Sequence, residues 1–390
     1  MNSLNFPLFL TSFILLKDDW SFKMYSKNPW NSLLIKFVLL IGFYLMINNG
    51  DVYAVQGENS QHFLVHESKL EQSKSSWAFA FDNDILVPGS RDQDYTYGMN
   101  ISYIGKLADQ HWASLHEPLD WINRKLELDG LVRSAFGSSK IEYGLFGFTP
   151  EDIGAATARL DDRPYASLVY VSSTREAYQP FRDVSWQSTL TFGILGLNIV
   201  GDIQNEVHSV LNGDKVMGWD NQISDGGEPT ARYSLSRQSL LYKSGAGTEI
   251  KSTFQGSVGY ITEASWSLSV RTGEILSPWV SFNPELTSYA EKSIPNAISR
   301  VSEHYFWTGA SVKYRAYNAF LEGQFKNSVV TYDDNEINRG IFEAWMGYTM
   351  ALANGYSFTY TIRGHTSEIN RGIGDRNVIW GGILISKSIG

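Results

Sequence analysis

A two-residue alternation of apolar and polar side chains runs through most of this 390-residue chain, and it restricts the fold more than any other feature. A strand turns successive side chains to opposite faces, so this period demands a sheet with one apolar face and one polar or packed face. Trp77, Phe79 and Phe81 alternate with Ala78, Ala80 and Asp82. About twelve such runs follow one another, over 76–84, 97–104, 140–148, 167–175, 185–195, 232–242, 250–261, 265–272, 304–317, 340–352, 356–365 and 378–386. After residue 54 no apolar run approaches the roughly 20 residues that a membrane helix needs. An even number of strands of roughly ten residues, flanked by aromatics, is the pattern of a transmembrane antiparallel β-barrel. We therefore expect an all-β barrel of about 12 strands over 76–390, with a soluble secreted β-protein as the alternative.

The segment before the strands reads as targeting sequence. Residues 31–47 are an apolar core with Lys27 and Lys36 toward its start, and Val52-Tyr53-Ala54 is a small-residue cleavage pattern. The expected organisation is a non-native extension over 1–23, with translation starting at Met24, a signal peptide over 24–54, a periplasmic segment over 55–75 and the barrel beyond. The outer membrane of a Gram-negative cell follows as the location, reached through the barrel assembly machinery, and the barrel is expected to be a monomer.

Charge and sulfur exclude several classes. The formal charge is −9, which argues against a nucleic-acid partner because phosphate binding needs a basic footprint. With no cysteine there is no disulfide, no thiolate nucleophile and no thiolate-bound metal. No Gly-x-Ser-x-Gly elbow is present.

One stretch breaks the strand pattern. From Asp202 to Gly213 the residues suit a short helix, with Asp202 as N-cap and Gly213 as stop. Ile203, Val207, Val210 and Leu211 form an apolar stripe that would dock it, while Gln204 and His208, four apart, share another face. With a periplasmic N-terminus, every odd-to-even strand connection faces the exterior. The Asp82-Asn83-Asp84 and Asp94-Tyr95-Thr96 motifs, Thr149-Pro150-Glu151-Asp152, Asp162-Arg163-Pro164-Tyr165 and the helix then converge on one rim. The same topology puts 105–139 and 274–303 in the periplasm, where short turns are usual.

In the order and spacing of these motifs, together with Gly218-Trp219-Asp220-Asn221-Gln222, the chain resembles the LpxR-type lipid A 3′-O-deacylases from Trp77 to about Gly390. The resemblance implies a twelve-stranded outer-membrane barrel that hydrolyses an acyl ester of lipopolysaccharide. Its site would lie between the outer wall and an extracellular-loop helix, with a calcium ion and a histidine-activated water. Asn83, Asp84, Thr96, Gln204 and His208 match the family's site positions. The end of the chain, Ser386-Lys387-Ser388-Ile389-Gly390, departs in lacking a terminal aromatic.

The residue types suit that chemistry. His208 is a side chain that titrates near neutrality and can serve as general base. Asp84 and Asn83 offer hard oxygen ligands, which suit calcium and not zinc. Gln204 would orient the water or the histidine, and Thr96 would complete the polar rim. Asn83 and Asp84 face opposite ways in an ideal strand, so joint use needs a bend or bulge. Arg163 is the candidate for a lipid A phosphate, with a structural ion pair as its alternative. His208 could equally be a loop histidine bonded to a neighbouring carbonyl. A passive channel, or a serine phospholipase, are the competing functions.

Overall fold

The structure, a computed structural model, describes residues 75–87, 94–132, 137–211, 215–245, 247–287, 289, 291 and 302–389. The expected extension, signal peptide and nearly all of the segment 55–75 lie outside them.

Twelve strands close into one antiparallel barrel in sequence order, β1 pairing with both β2 and β12. They are β1 (Ser75–Asn83), β2 (Asp94–Ile104), β3 (Ser138–Thr149), β4 (Ala166–Gln179), β5 (Val184–Leu195) and β6 (Glu228–Ser244). The second half comprises β7 (Thr248–Gly259), β8 (Ile261–Glu274), β9 (Glu303–Asn318), β10 (Gly340–Ala351), β11 (Tyr356–His365) and β12 (Val378–Ile389). Closure leaves no unpaired sheet edge, the condition for strands in hydrocarbon.

Alternation sorts the side chains as the sequence required. On β1, Ser76, Ala78, Ala80 and Asp82 are buried while Trp77 and Phe79 are exposed on the outer wall. Ile101, Phe192, Trp266, Phe306, Phe342, Phe358 and Ile383 continue that exposed band around the barrel. In β2 the register shifts between Tyr95 and Tyr97, leaving Thr96 as an extra residue. The bulge turns Tyr95 into the lumen, where it meets Trp380 and Tyr289, and leaves Tyr97 on the outer wall.

Connections 180–183, 245–247 and 352–355 are short and lie at the end where β1 starts, which marks that end as periplasmic. The two long periplasmic connections are not simple turns. One, joining β8 to β9, climbs into the lumen over 275–287. Phe282 packs edge-on against Tyr305 and Trp307. Above it Glu285 accepts hydrogen bonds from Gln238 (2.7 Å), Thr253 (2.9 Å) and Ser269 (2.8 Å) and pairs with Lys251 at 2.8 Å. Tyr289 then reaches the aromatic cluster of Tyr95, Phe146, Phe148 and Trp380. The buried Glu285 carboxylate is thus surrounded by donors, without which its desolvation would be unsupported.

The other long connection lies against the outer wall. It carries helices α1 (His116–Lys125) and α2 (Asp129–Val132). Leu128 and Val132 pack on Val184, Trp186 and Leu235. Arg175, facing outward from β4, donates to Asp120 at 2.9 and 3.1 Å and to Asp109 at 2.7 and 2.8 Å. An arginine on that wall thus meets carboxylates instead of lipid. His116 is buried beside it, with Nε2 3.1 Å from the Thr174 carbonyl and Nδ1 2.7 Å from the Ser114 hydroxyl. Burial, and then the Arg175 charge, lower its pKa.

Candidate functional site

Helix α3 (Ile199–Leu211) lies outside the barrel against β3 and β4. It begins three residues before the expected start, so Asp202 falls in its first turn and is not the N-cap. A carboxylate there still faces the positive end of the helix dipole. Val200 is fully buried among Tyr97, Tyr165, Val216 and Trp219, with Ile203 packed on that cluster. Ile203 docks as its spacing predicted; Val200 is an anchor the spacing missed. The side chains of Val207, Val210 and Leu211, and residue Gly213, lie outside the described residues. The Tyr97 hydroxyl donates to the Val200 carbonyl, bonding wall to helix.

The segment 215–222 straps the helix down. Asn205 and Val216 exchange two hydrogen bonds, of 3.1 and 2.9 Å. The Trp219 indole donates to Gln204 Oε1 at 3.0 Å, and Gln222 bridges Asn198 on one side and Ser167 of β4 on the other. Gly147 of β3 makes room: a Cβ there would stand 2.9 Å from the Trp219 ring and 3.0 Å from Val200. The Gly-Trp-Asp-Asn-Gln motif is therefore the fastening of the helix to the wall.

Gln204 is 3% exposed and His208, one turn further on, is half-buried. Asn83 ends β1 and caps a 3₁₀ turn, Asp84–Leu86, accepting a 2.7 Å bond from the Ile85 amide. This turn ends the strand alternation at Asn83. Asp84 is buried as its first residue, and the Tyr360 hydroxyl holds the Leu86 carbonyl to the outer wall. Asn83 pairs in register with Tyr97, so Tyr97 links the Asn83 position to the first turn of α3. Thr96, at the bulge, is hydrogen-bonded to the Thr149 hydroxyl.

Arg163 takes the structural alternative of the sequence reading. It is 1% exposed, lies 5.1 Å over the Phe148 ring and donates to Asp94 (3.2 Å) and Glu368 (2.7 Å). Its partners are two buried carboxylates, so the structural ion pair is the arrangement observed. Glu368 also accepts from Arg315 and from Asn318 (2.9 Å). Burial alone would raise the Glu368 carboxyl, but Arg163 and Arg315 hold it well below the usual carboxylate range. Arg376 joins the same group through Asp94 (2.9 Å) and Asp162 (2.6 Å). Loop 366–377 carries no motif, so its share in this network was not readable in advance.

Around Asn83 and Asp84 the donors are oxygens, the kind a hard cation takes. Among the described residues no three His, Cys, Asp or Glu side chains are grouped so that they could hold a metal ion by themselves. A cation at Asp84 would therefore draw on amide and backbone oxygens as well as the carboxylate.

A closed twelve-stranded barrel with an apolar outer band and three short turns at its periplasmic end defines an outer-membrane β-barrel protein, here with a helix fastened to its outer wall. The family described as "Outer membrane protein LpxR" matches residues 39–389, and the chain belongs to that family. Among solved structures, LpxR from Salmonella typhimurium superposes with a TM-score of 0.61 at 15% identity, covering 80% of this chain and 99% of that one. The β domain of the Bordetella autotransporter BrkA gives 0.40 at 10% identity, over 82% of this chain and 100% of that one. No curated protein matches the chain.

Proposed function

We propose that this protein is an outer-membrane esterase that removes the 3′-linked acyloxyacyl chain from lipid A of lipopolysaccharide. Membership of the LpxR family supports the reaction class. The observation that carries the reading is the place of α3: Gln204 and His208 are held on the outer wall, where an outer-leaflet lipid arrives by lateral diffusion without leaving the membrane. A passive channel would need an open lumen, and Glu285, Tyr289 and the aromatic cluster occupy this one.

In the proposed reaction His208 takes a proton from a water as its oxygen attacks the ester carbonyl carbon. The carbonyl π pair moves onto oxygen and then returns, expelling the sugar 3′-oxygen, which accepts the proton back from His208. Asp84, with the Asn83 amide oxygen and backbone carbonyls, would hold calcium, whose charge polarises the ester carbonyl when bound. Thr96 lines the polar rim beside Asn83. Mass spectrometry of lipid A from cells with and without the protein tests the reading: one acyloxyacyl group is lost only where the protein is made.

A further inference from the structure

The Trp219 indole carries a hydrogen-bond donor and no acceptor. Because its Nε1 donates to Gln204 at 3.0 Å, the amide must present Oε1 to it. The amide nitrogen is thereby turned away. Gln204 Nε2 is buried and has no hydrogen-bond partner among the described residues. A buried N–H without an acceptor is destabilising, so this donor is expected to meet an acceptor that comes from outside the protein.

The indole itself has little freedom. It is 5% exposed and packs on Tyr165 with ring centres 5.0 Å apart. A Cβ on Gly201 of α3 would stand 2.5 Å from the indole Cγ, so glycine there lets the ring lie between helix and wall. The Asn205–Val216 bonds fix the chain just ahead of it. Trp219 thus holds Gln204 on the face of α3 that also carries His208.

We infer that Trp219 is a positioning residue that locks Gln204 as a donor, with its Nε2–H presented to the carbonyl oxygen of the ester as that oxygen gains charge. Gln204 then stabilises the oxyanion and does not act as an acceptor that steers the water or His208. The N–H stays intact throughout; the proton that moves is the water proton taken by His208. The inference rests on the esterase reading.

Steady-state deacylation by the purified full-length protein in detergent, with lipid A as substrate, tests it. Gln204→Glu keeps an acceptor for Trp219 and deletes the donor, and kcat should fall by ~10²-fold with KM little changed. Trp219→Phe keeps the ring and removes the N–H, so kcat should fall again at similar KM. Adding Gln204→Ala to Trp219→Phe should cost less than Gln204→Ala alone, because the amide is already unfixed. Heat-modifiable migration on a gel shows that each barrel has folded. Gln204→Glu with wild-type kcat, or full additivity in the Trp219→Phe background, would overturn the inference while leaving the esterase reading intact. No deacylation by the wild type overturns the esterase reading, and this inference with it.

Discussion

Arg163 and Glu368 stand 205 residues apart in sequence and 2.7 Å apart in space, joined by a charge-assisted hydrogen bond inside the outer end of the barrel. The pair binds the β3–β4 loop to the β11–β12 loop, and Arg315 meets the same carboxylate from β9. Removing Glu368 leaves two guanidiniums buried without their shared partner. Glu368→Ala should cost ~3–5 kcal/mol, the usual penalty for breaking a buried pair, read as a lower unfolding temperature in detergent. Glu368→Gln, which keeps the shape, should cost less. Since the folded pKa is depressed, the contribution is present above the unfolded carboxylate value and is lost as pH falls toward the folded one. An Ala variant as stable as wild type contradicts this.

His116 gives a second pH effect with its own window. Burial, followed by Arg175, lowers its pKa, while Asp109, Asp120 and the Thr174 carbonyl act the other way. An unfolded histidine protonates near about 6.5, so below that pH the unfolded state binds the extra proton. Stability from the docked α1 is complete above this value and declines as pH falls through it. Unfolding temperatures between pH 8 and pH 5 should slope less in His116→Gln than in wild type. Equal slopes would remove His116 from the account.

Gly201 and Trp219 cannot both keep their places if residue 201 gains a Cβ, which would stand 2.5 Å from the indole. Gly201→Ala should displace the ring or the helix at ~1–3 kcal/mol, the usual cost of overpacking. The effect should fall on deacylation and not on the barrel, because α3 lies outside the strand ladder. Normal turnover in this variant would mean that the fastening of α3 does not matter to the site.

Calcium at Asp84 predicts that chelation abolishes deacylation and that calcium restores it. Magnesium should restore little, since it demands tight octahedral geometry and keeps its waters. Asp84→Asn changes charge at nearly constant shape and should weaken metal dependence and rate together. Full activity of the wild type in excess EDTA would end the metal proposal.

The strands were legible because period-two patterning and aromatic content act locally. The sequence ranges and the observed strands agree to within a few residues, with β11 identical at 356–365. The segment in the lumen was not legible. Residues 275–291 have no sustained period, and Glu285 and Tyr289 acquire their roles from donors and rings on β2, β3, β6, β7, β8, β9, β11 and β12. Arg163 shows the same limit within the candidate site: Asp-Arg-Pro-Tyr reads alike as a ligand loop or as an ion-paired turn, and only the position of Glu368 separates the two. The pair Gln204 and His208 was visible as an i, i+4 spacing, whereas Trp219 was visible only as a motif without a role.

The most direct test of the central claim is mass spectrometry of lipid A from cells making either the wild type or His208→Ala at matched levels in the outer membrane. With the wild type, lipid A should lose the mass of one acyloxyacyl group. With His208→Ala, the barrel should remain heat-modifiable while turnover falls ~10²–10⁴-fold, the usual worth of a general base. Lipid A left unchanged by the wild type, or deacylated equally well by the folded His208→Ala protein, would contradict the account.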